Sequence, residues 1–292
     1  MGTGVESGVG LTALMVAAAR AIETHRPDAL AADRYAEHFV RAARASAHWP
    51  VHPRQVRGGE ADPLWGRLGR YFGLRTRVLD DHLLASARAG ARQVVLLGAG
   101  LDTRAFRLDW PLGCTVFELD RPGVLAFKQD VLDRRDATPA ARRAPVAVDL
   151  REDWAEALLA AGFRSEAPTA WLAEGLLLYL PSAAERSLVD TVDRLSAGGS
   201  TLAYEVKLGL ESDAVRSHPV YTAARLRIGV DLLALFDGEP RPDTRADLAG
   251  RGWSTRVHTP FDFSRHHGRG PLPEPDDALA ANRWILAHKP SP

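Results

Sequence analysis

"QVVLLGAGLDTRAFRL", residues 93–108, is an apolar run that breaks into glycines and then into charge. A buried strand that ends in Gly-x-Gly brings a backbone up against a ligand, because the missing side chains at Gly98 and Gly100 permit close approach. The dinucleotide fingerprint requires a third glycine three residues after Gly100, and Thr103 stands there instead. The loop has to be read with its neighbours before its ligand can be named.

Those neighbours repeat the theme. "TVFEL", "VAVDL", "TAWLAEGLLLYL" and "STLAYEV" are short apolar runs, separated by the helix-like "PGVLAFKQDVLDRR", "REDWAEALLAAG" and "SAAERSLVDTVDRLSAGG". Strand alternating with helix, with strands apolar on both faces, predicts a parallel sheet covered on both sides. "WSTRVHT" and "RWILAHK" predict a final antiparallel pair. Upstream, Leu11, Leu14, Ala18 and Ile22 fall on one face of a helix that Pro27 closes, and "DALAADRYAEHFVRAARAS" predicts a second helix from Asp28. Residues 49–66 hold three prolines and three glycines and read as a loop, a candidate hinge carrying Trp49 and Trp65. Residues 74–89 return to helical spacing. The expected fold is α/β, a doubly wound, mostly parallel seven-stranded sheet over residues 74–292, with residues 1–73 as a helical lid on the same structural unit.

Composition narrows the partners. The 292 residues carry 37 Lys plus Arg against 37 Asp plus Glu, a net charge of zero. That balance gives no electrostatic reason to expect nucleic acid or an anionic membrane. One cysteine, Cys114, excludes an internal disulfide and a multi-thiolate zinc site, so no metal is expected. The first twenty residues lack the basic start and long apolar core of a leader or membrane span, so the expectation is a cytoplasmic protein. The pattern leaves monomer or homodimer open.

In an open parallel sheet, ligands lie beyond the carboxyl ends of the strands. The second expected strand delivers Glu118 and Asp120, the third Asp149, the fourth Glu174 and the fifth Tyr204 and Glu205. Asp120 lies twenty residues past Gly100, the distance at which an acid reaches a ribose diol in Rossmann-like folds. A carboxylate at a strand end also caps the next helix, and Asp120 and Asp149 are open to that role too. Glu174, inside an apolar run, sits where a charge is costly and needs a donor partner, with a carboxyl pushed up if none is at hand. Acids converging on a glycine loop suit a ligand with a ribose, an adenine amine and a cationic centre, as S-adenosylmethionine has, better than one with phosphates.

The set "LGAGLDTRAFRL", "VFELDRP", "VDLRE", "AEGLLLYLP" and "AYE", with "RTRVLDD" at 75–81 and "TALMVAAARA" at 12–21, resembles the leucine carboxyl methyltransferase-like branch of class I S-adenosylmethionine-dependent methyltransferases. The resemblance covers most of the chain and is weakest from 208 to 245. It implies that Gly98, Gly100 and Asp102 form the cofactor loop, Asp120 holds the ribose, and Asp149 with Leu150 binds the adenine. It places Glu174 near the methionine ammonium and Arg75 on the cofactor carboxylate, with Arg77 close enough in register to exchange. Thr12 and Arg20 are candidates from the covering helix.

The implied reaction is methyl transfer to an oxygen of a small-molecule acceptor, a carboxylate or hydroxyl of a specialised metabolite. A carboxylate is already an anion at neutral pH, whereas a phenol gains from a positioned base. Tyr179, Tyr204, His218 and Tyr221 are the candidates for a group acting on the acceptor, with Arg225 nearby; helix-start and helix-face roles compete for His218, Tyr221 and Arg225. "SRHHGRG", 264–270, reads as a solvated basic loop. C- or N-methyl transfer on the same scaffold, and a catalytically silent cofactor-binding protein, remain alternatives because fold does not fix the acceptor.

Overall fold

The apolar runs from Gln93 onward pair into one sheet. In the computed structural model, which describes residues 4–274 and 277–291, its strands are β1 (Gln93–Leu97), β2 (Thr115–Asp120), β3 (Arg142–Ala147), β4 (Thr169–Ala173), β5 (Thr201–Lys207), β6 (Ser254–His258) and β7 (Asn282–His288). The spatial order is β3-β2-β1-β4-β5-β7-β6. The first five strands run parallel, and β7 is antiparallel to both β5 and β6. This is the expected doubly wound sheet with its late antiparallel pair. The order reverses between β1 and β4, which opens a crevice at their carboxyl ends.

Before the sheet come α1 (Val9–Thr24), α2 (Ala36–Ala42) and α3 (Gly69–Arg88). Between strands lie α4 (Arg104–Arg107), α5 (Pro122–Asp133), α6 (Ala155–Ala160) and α7 (Ser182–Arg194). The link from β5 to β6 holds α8 (Asp213–Arg216), α9 (Pro219–Ile228), α10 (Leu232–Leu235) and α11 (Thr244–Gly250), and α12 (Pro260–His267) follows β6. Side chains alternate across each strand. Val94 and Leu96 of β1 join the core under α1, α2 and α3, whereas Val95 and Leu97 join the one under α6, α7 and α11. Gly73 lets α1 and α3 touch, since a Cβ there would stand 2.5 Å from Glu23 Cδ.

Several local expectations fail for identifiable reasons. Only Ala36–Ala42 of the helix expected from Asp28 is helical. Side chains of α1 bind the segment before it: Glu23 accepts from Leu30 N–H, Thr24 from Asp33 N–H, and Arg20 Nε lies 3.0 Å from Asp33 Oδ2. Those polar contacts outcompete the helical ladder. The loop at 49–66 carries 3₁₀ turns at Pro53–Gln55 and Gly59–Ala61 and runs into a helical turn, Pro63–Leu68, capped by Asp62. Trp49 and Trp65 are buried in the core with ring centroids 6.0 Å apart, an ordinary packing under this loop. β3 ends at Ala147, leaving Asp149 in the following turn. β4 ends at Ala173, because Gly175 turns the chain at φ 59 into the 3₁₀ turn Leu177–Tyr179; Glu174 therefore follows the strand. The first half of "SRHHGRG", residues 264–267, is the last turn of α12, closed by left-handed Gly268, and only residues 268–270 lie outside the helix.

One cation joins three parts of the fold. Arg104, 1% exposed at its side chain, places Nε 2.6 Å from Asp80 Oδ1 of α3 and Nη1 2.7 Å from Glu174 Oε2 beyond β4. The same Nη1 bonds Asp102 of the glycine loop, and Arg107 Nη1 lies 2.5 Å from Asp80 Oδ2. Removing one member of a buried pair leaves the other charge uncompensated, at about 3–5 kcal/mol. Arg104→Met is therefore expected to lower unfolding stability by about that much in urea titration. Arg77→Met, at an exposed i,i+4 pair with Asp81, should change it by less than about 0.5 kcal/mol. Equal effects of the two substitutions would contradict the network's role.

Candidate functional site

The carboxyl ends of β1, β2, β4 and β5 open into a cavity of about 350 Å³. Its wall brings together Arg75, Gly98, Gly100, Asp102, Asp120, Asp149, Leu150 and Glu174, with Tyr179 and Tyr221 on the far side. Thr12 and Arg20 of α1 also line it, and Arg20 Nη2 donates to Leu101 O at 2.6 Å. Arg77 does not reach it. That side chain is exposed and paired with Asp81, so the register falls on Arg75.

Backbone geometry shapes the first half. Gly98 (φ 66) and Gly100 (φ 48) are both left-handed, and a Cβ on Gly98 would come within 2.9 Å of Leu176 Cδ1. The turn so formed points Gly100 N–H at Asp120 Oδ2, 2.7 Å away, while Arg121 N–H donates to Oδ1 at 2.7 Å. Burial raises the Asp120 carboxyl above its ordinary value, and these two N–H groups oppose the rise only in part. Each carboxylate oxygen keeps lone pairs that the backbone does not use. Asp149, farther out, accepts from Arg151 N–H and pairs with its guanidinium at 2.5 Å, which holds its carboxyl low. Leu150 beside it is buried and supplies an apolar face.

Charge is balanced deeper in. Arg75 Nε is 3.0 Å from Glu174 Oε1, and its Nη1 is 2.5 Å from Glu205 Oε1. Tyr71 donates its hydroxyl to Glu205 Oε2 at 2.8 Å, and the Arg75 guanidinium stacks 4.7 Å from the Phe72 ring centre. Burial pushes the Glu174 carboxyl up, but Arg104, Arg75 and Arg20 outweigh it and hold the group at about 2. This corrects the sequence expectation of a raised carboxyl awaiting a ligand. Ionised Glu174 contributes stability above its ordinary pKa of 4.5, and that contribution is lost only as pH falls toward about 2. Asp102 is likewise lowered: burial would raise it, and Arg104 and Lys128 prevail. Its carboxylate is engaged by Arg104, so it reaches the cavity already neutralised.

Two candidates from the sequence are excluded by their placement. Tyr204 lies on the opposite face of β5, in the core under α7 and α11, because adjacent strand residues point to opposite sides. His218 caps α9, accepting from Val220 N–H at Nδ1, and is not on the cavity wall; Arg225 is exposed on the same helix. Tyr179 and Tyr221 remain, with rings 5.8 Å and 6.4 Å from Phe236. Burial pushes both phenols up to about 12. Sequence reading passed over Arg104, Tyr71, Phe236 and Lys207, all but Arg104 on the cavity wall. Lys207 was accessible to it, since residues two apart on β5 share a face with Glu205. Among the described residues no cluster of His, Cys, Asp and Glu could hold a metal ion, and no helix is long and apolar enough to cross a membrane.

The sequence profile of the leucine carboxyl methyltransferase family matches residues 13–193. A Streptomyces coelicolor protein named as an S-adenosyl-L-methionine-dependent methyltransferase is 68% identical over 290 residues, covering 99% of this chain and 96% of its own. One of the same name from Saccharopolyspora erythraea is 49% identical over 254 residues, covering 87% and 85%. Among solved structures, a DUF574-family protein of Streptomyces avermitilis superposes with a TM-score of 0.54 at 18% identity, over 79% of this chain and 87% of that one, a likeness of fold. The chain belongs to the leucine carboxyl methyltransferase family and is an S-adenosylmethionine-dependent methyltransferase.

Proposed function

We propose that the chain methylates an oxygen of a small organic acceptor, and that this oxygen belongs to a carboxylate. The observation that supports this reading is that, Lys207 apart, the titratable groups expected to act on the acceptor offer it no base. Tyr179 and Tyr221 are phenols held at about 12, and Glu174 is an ion-paired carboxylate at about 2. His218 is a helix cap away from the wall. A carboxylate acceptor, with pKa about 4, is already anionic at neutral pH and has no proton to lose. Transfer to it then depends on placement in a dry pocket.

Bound S-adenosylmethionine supplies an electrophilic methyl group carried on a sulfonium. The residues present fit that cofactor. Asp120 offers unused carboxylate lone pairs to a ribose diol, Gly98 and Gly100 offer a bare backbone, and Asp149 and Leu150 flank the place for an adenine. Arg75 has more N–H groups than its two carboxylate contacts consume, which suits the methionine carboxylate, and Glu174 would face the ammonium. Val9, Thr12, Ala13 and Val16 place α1 over the cavity, where it would act as a lid that excludes water.

A second reading, transfer to a hydroxyl, is favoured by one feature. Burial pushes the Lys207 ammonium down to about 8, within reach of a general base. Matched acids, alcohols and amines of one carbon skeleton, incubated with methyl-labelled S-adenosylmethionine, separate the readings. The expected product carries its label in a linkage cleaved by mild alkali, as a methyl ester is; label in an alkali-stable ether or amine would overturn the carboxylate reading. Asp120→Ala should weaken cofactor binding by about 1.5–3 kcal/mol in calorimetry, the worth of hydrogen bonds to a charged group, while the protein stays folded. Unchanged affinity would remove Asp120 from the cofactor site.

A further inference from the structure

The half of the cavity away from the glycine loop is walled largely by Tyr179, Val220, Tyr221, Leu232, Phe236 and Leu279. One charge in this apolar surround has no counter-ion. Lys207 Nζ donates to two neutral acceptors, Ala278 O at 2.7 Å and Asn282 Oδ1 at 3.3 Å. Among the described residues no carboxylate lies within ion-pair distance of it. The carboxylates nearby are spent: Glu205 on Arg75 and Tyr71, and Asp277 on Arg67 and on the N–H of Leu279. An ammonium has three N–H groups, so two bonds leave the third for the cavity that the side chain lines.

Position adds to the argument. Lys207 lies two residues beyond Glu205 on the same side of β5, about 7 Å farther toward the strand's carboxyl end. Glu205 is bonded to Arg75, and Arg75 is ion-paired with Glu174. The ammonium thus stands one strand step beyond the paired charges, among the aromatic side chains. A half-buried cation in an apolar surround, without a counter-ion, carries a desolvation cost that a ligand of opposite charge offsets. Burial lowering its pKa against the pull of Glu205 and Asp277 is the same cost seen from another side.

We propose that Lys207 anchors a carboxylate on the methyl acceptor, and that the acceptor is an organic acid with an apolar, aromatic-sized body. The inference rests on the methyl-transfer reading in one respect, that this half of the cavity is the acceptor's. It selects acids over amides, alcohols and esters of the same skeleton, because only the acid brings the charge. A methyl ester product would lose that charge, and with it the attraction to the ammonium.

The test uses the full chain loaded with S-adenosylhomocysteine and titrated calorimetrically with 3-phenylpropanoate, 4-phenylbutanoate and octanoate and their matched primary amides. At least one acid should bind the wild type tenfold or more tighter than its amide. Lys207→Met should abolish that preference, and Lys207→Arg, which keeps the charge but cannot act as a base, should retain part of it. S-adenosylhomocysteine affinity and melting temperature, unchanged in both variants, would show that the pocket is intact. Three results overturn the proposal: no acid preferred by the wild type, a preference that persists in Lys207→Met, or equal weakening of acid and amide by that substitution, as a purely structural tie predicts. Failure of S-adenosylhomocysteine to bind would instead defeat the methyl-transfer reading, and the acid-over-amide comparison can then be made on the unloaded protein.

Discussion

Two arginine side chains at the carboxyl ends of the strands are buried, and each must be surrounded by carboxylates. Arg104 draws Asp80 from α3, Asp102 from the glycine loop and Glu174 from the turn after β4. Arg75, itself on α3, shares Glu174 and takes Glu205 from β5. Desolvating an ion costs several kcal/mol, so none of these groups tolerates the loss of its partner. The gain is geometric. A helix from the N-terminal region, a loop after β1 and the ends of two further strands are held in one arrangement, and that arrangement is the cavity wall.

Much of the fold was legible because the sheet advertises itself. Runs such as "QVVLL" and "TAWLA" are apolar at all but their first position and buried throughout, as strands covered on both faces must be, and their order along the chain sets the parallel topology. The glycine loop and Asp120 were legible for a related reason: close backbone approach and the spacing to a following acid are sequence-local features. Long-range pairing was not. Glu174 looked like an unsatisfied acid because its two arginines are 70 and 99 residues away in the chain, and nothing near it in sequence names them. The segment before α2 is not the helix its sequence suggests because side chains of α1 hold it in turns, a tertiary contact that propensity does not carry. Tyr204 is a different kind of miss. With Glu205 placed on the cavity side, strand alternation already puts Tyr204 on the other face.

The two halves of the cavity differ in the way a methyl transfer requires. The half at β1 and β2 is polar and built from backbone N–H groups and a half-buried acid. The half at β5 and α9 is aromatic and aliphatic, and Lys207 is its one cation without a counter-ion among the described residues. Between them Arg75, Arg104, Glu174 and Glu205 are paired off with one another. Such a site suits the acceptor we propose, one that arrives already anionic and reacts shielded from water.

The pH dependence of kcat tests this account most directly, measured with saturating cofactor and a saturating organic acid acceptor. Because no group has to give up or take a proton, kcat should be flat from about pH 6 to about pH 8, far above the acceptor's own pKa of about 4. A kcat that climbs about tenfold per pH unit toward a plateau near 8 would show a base titrating in the reacting complex and would contradict the account.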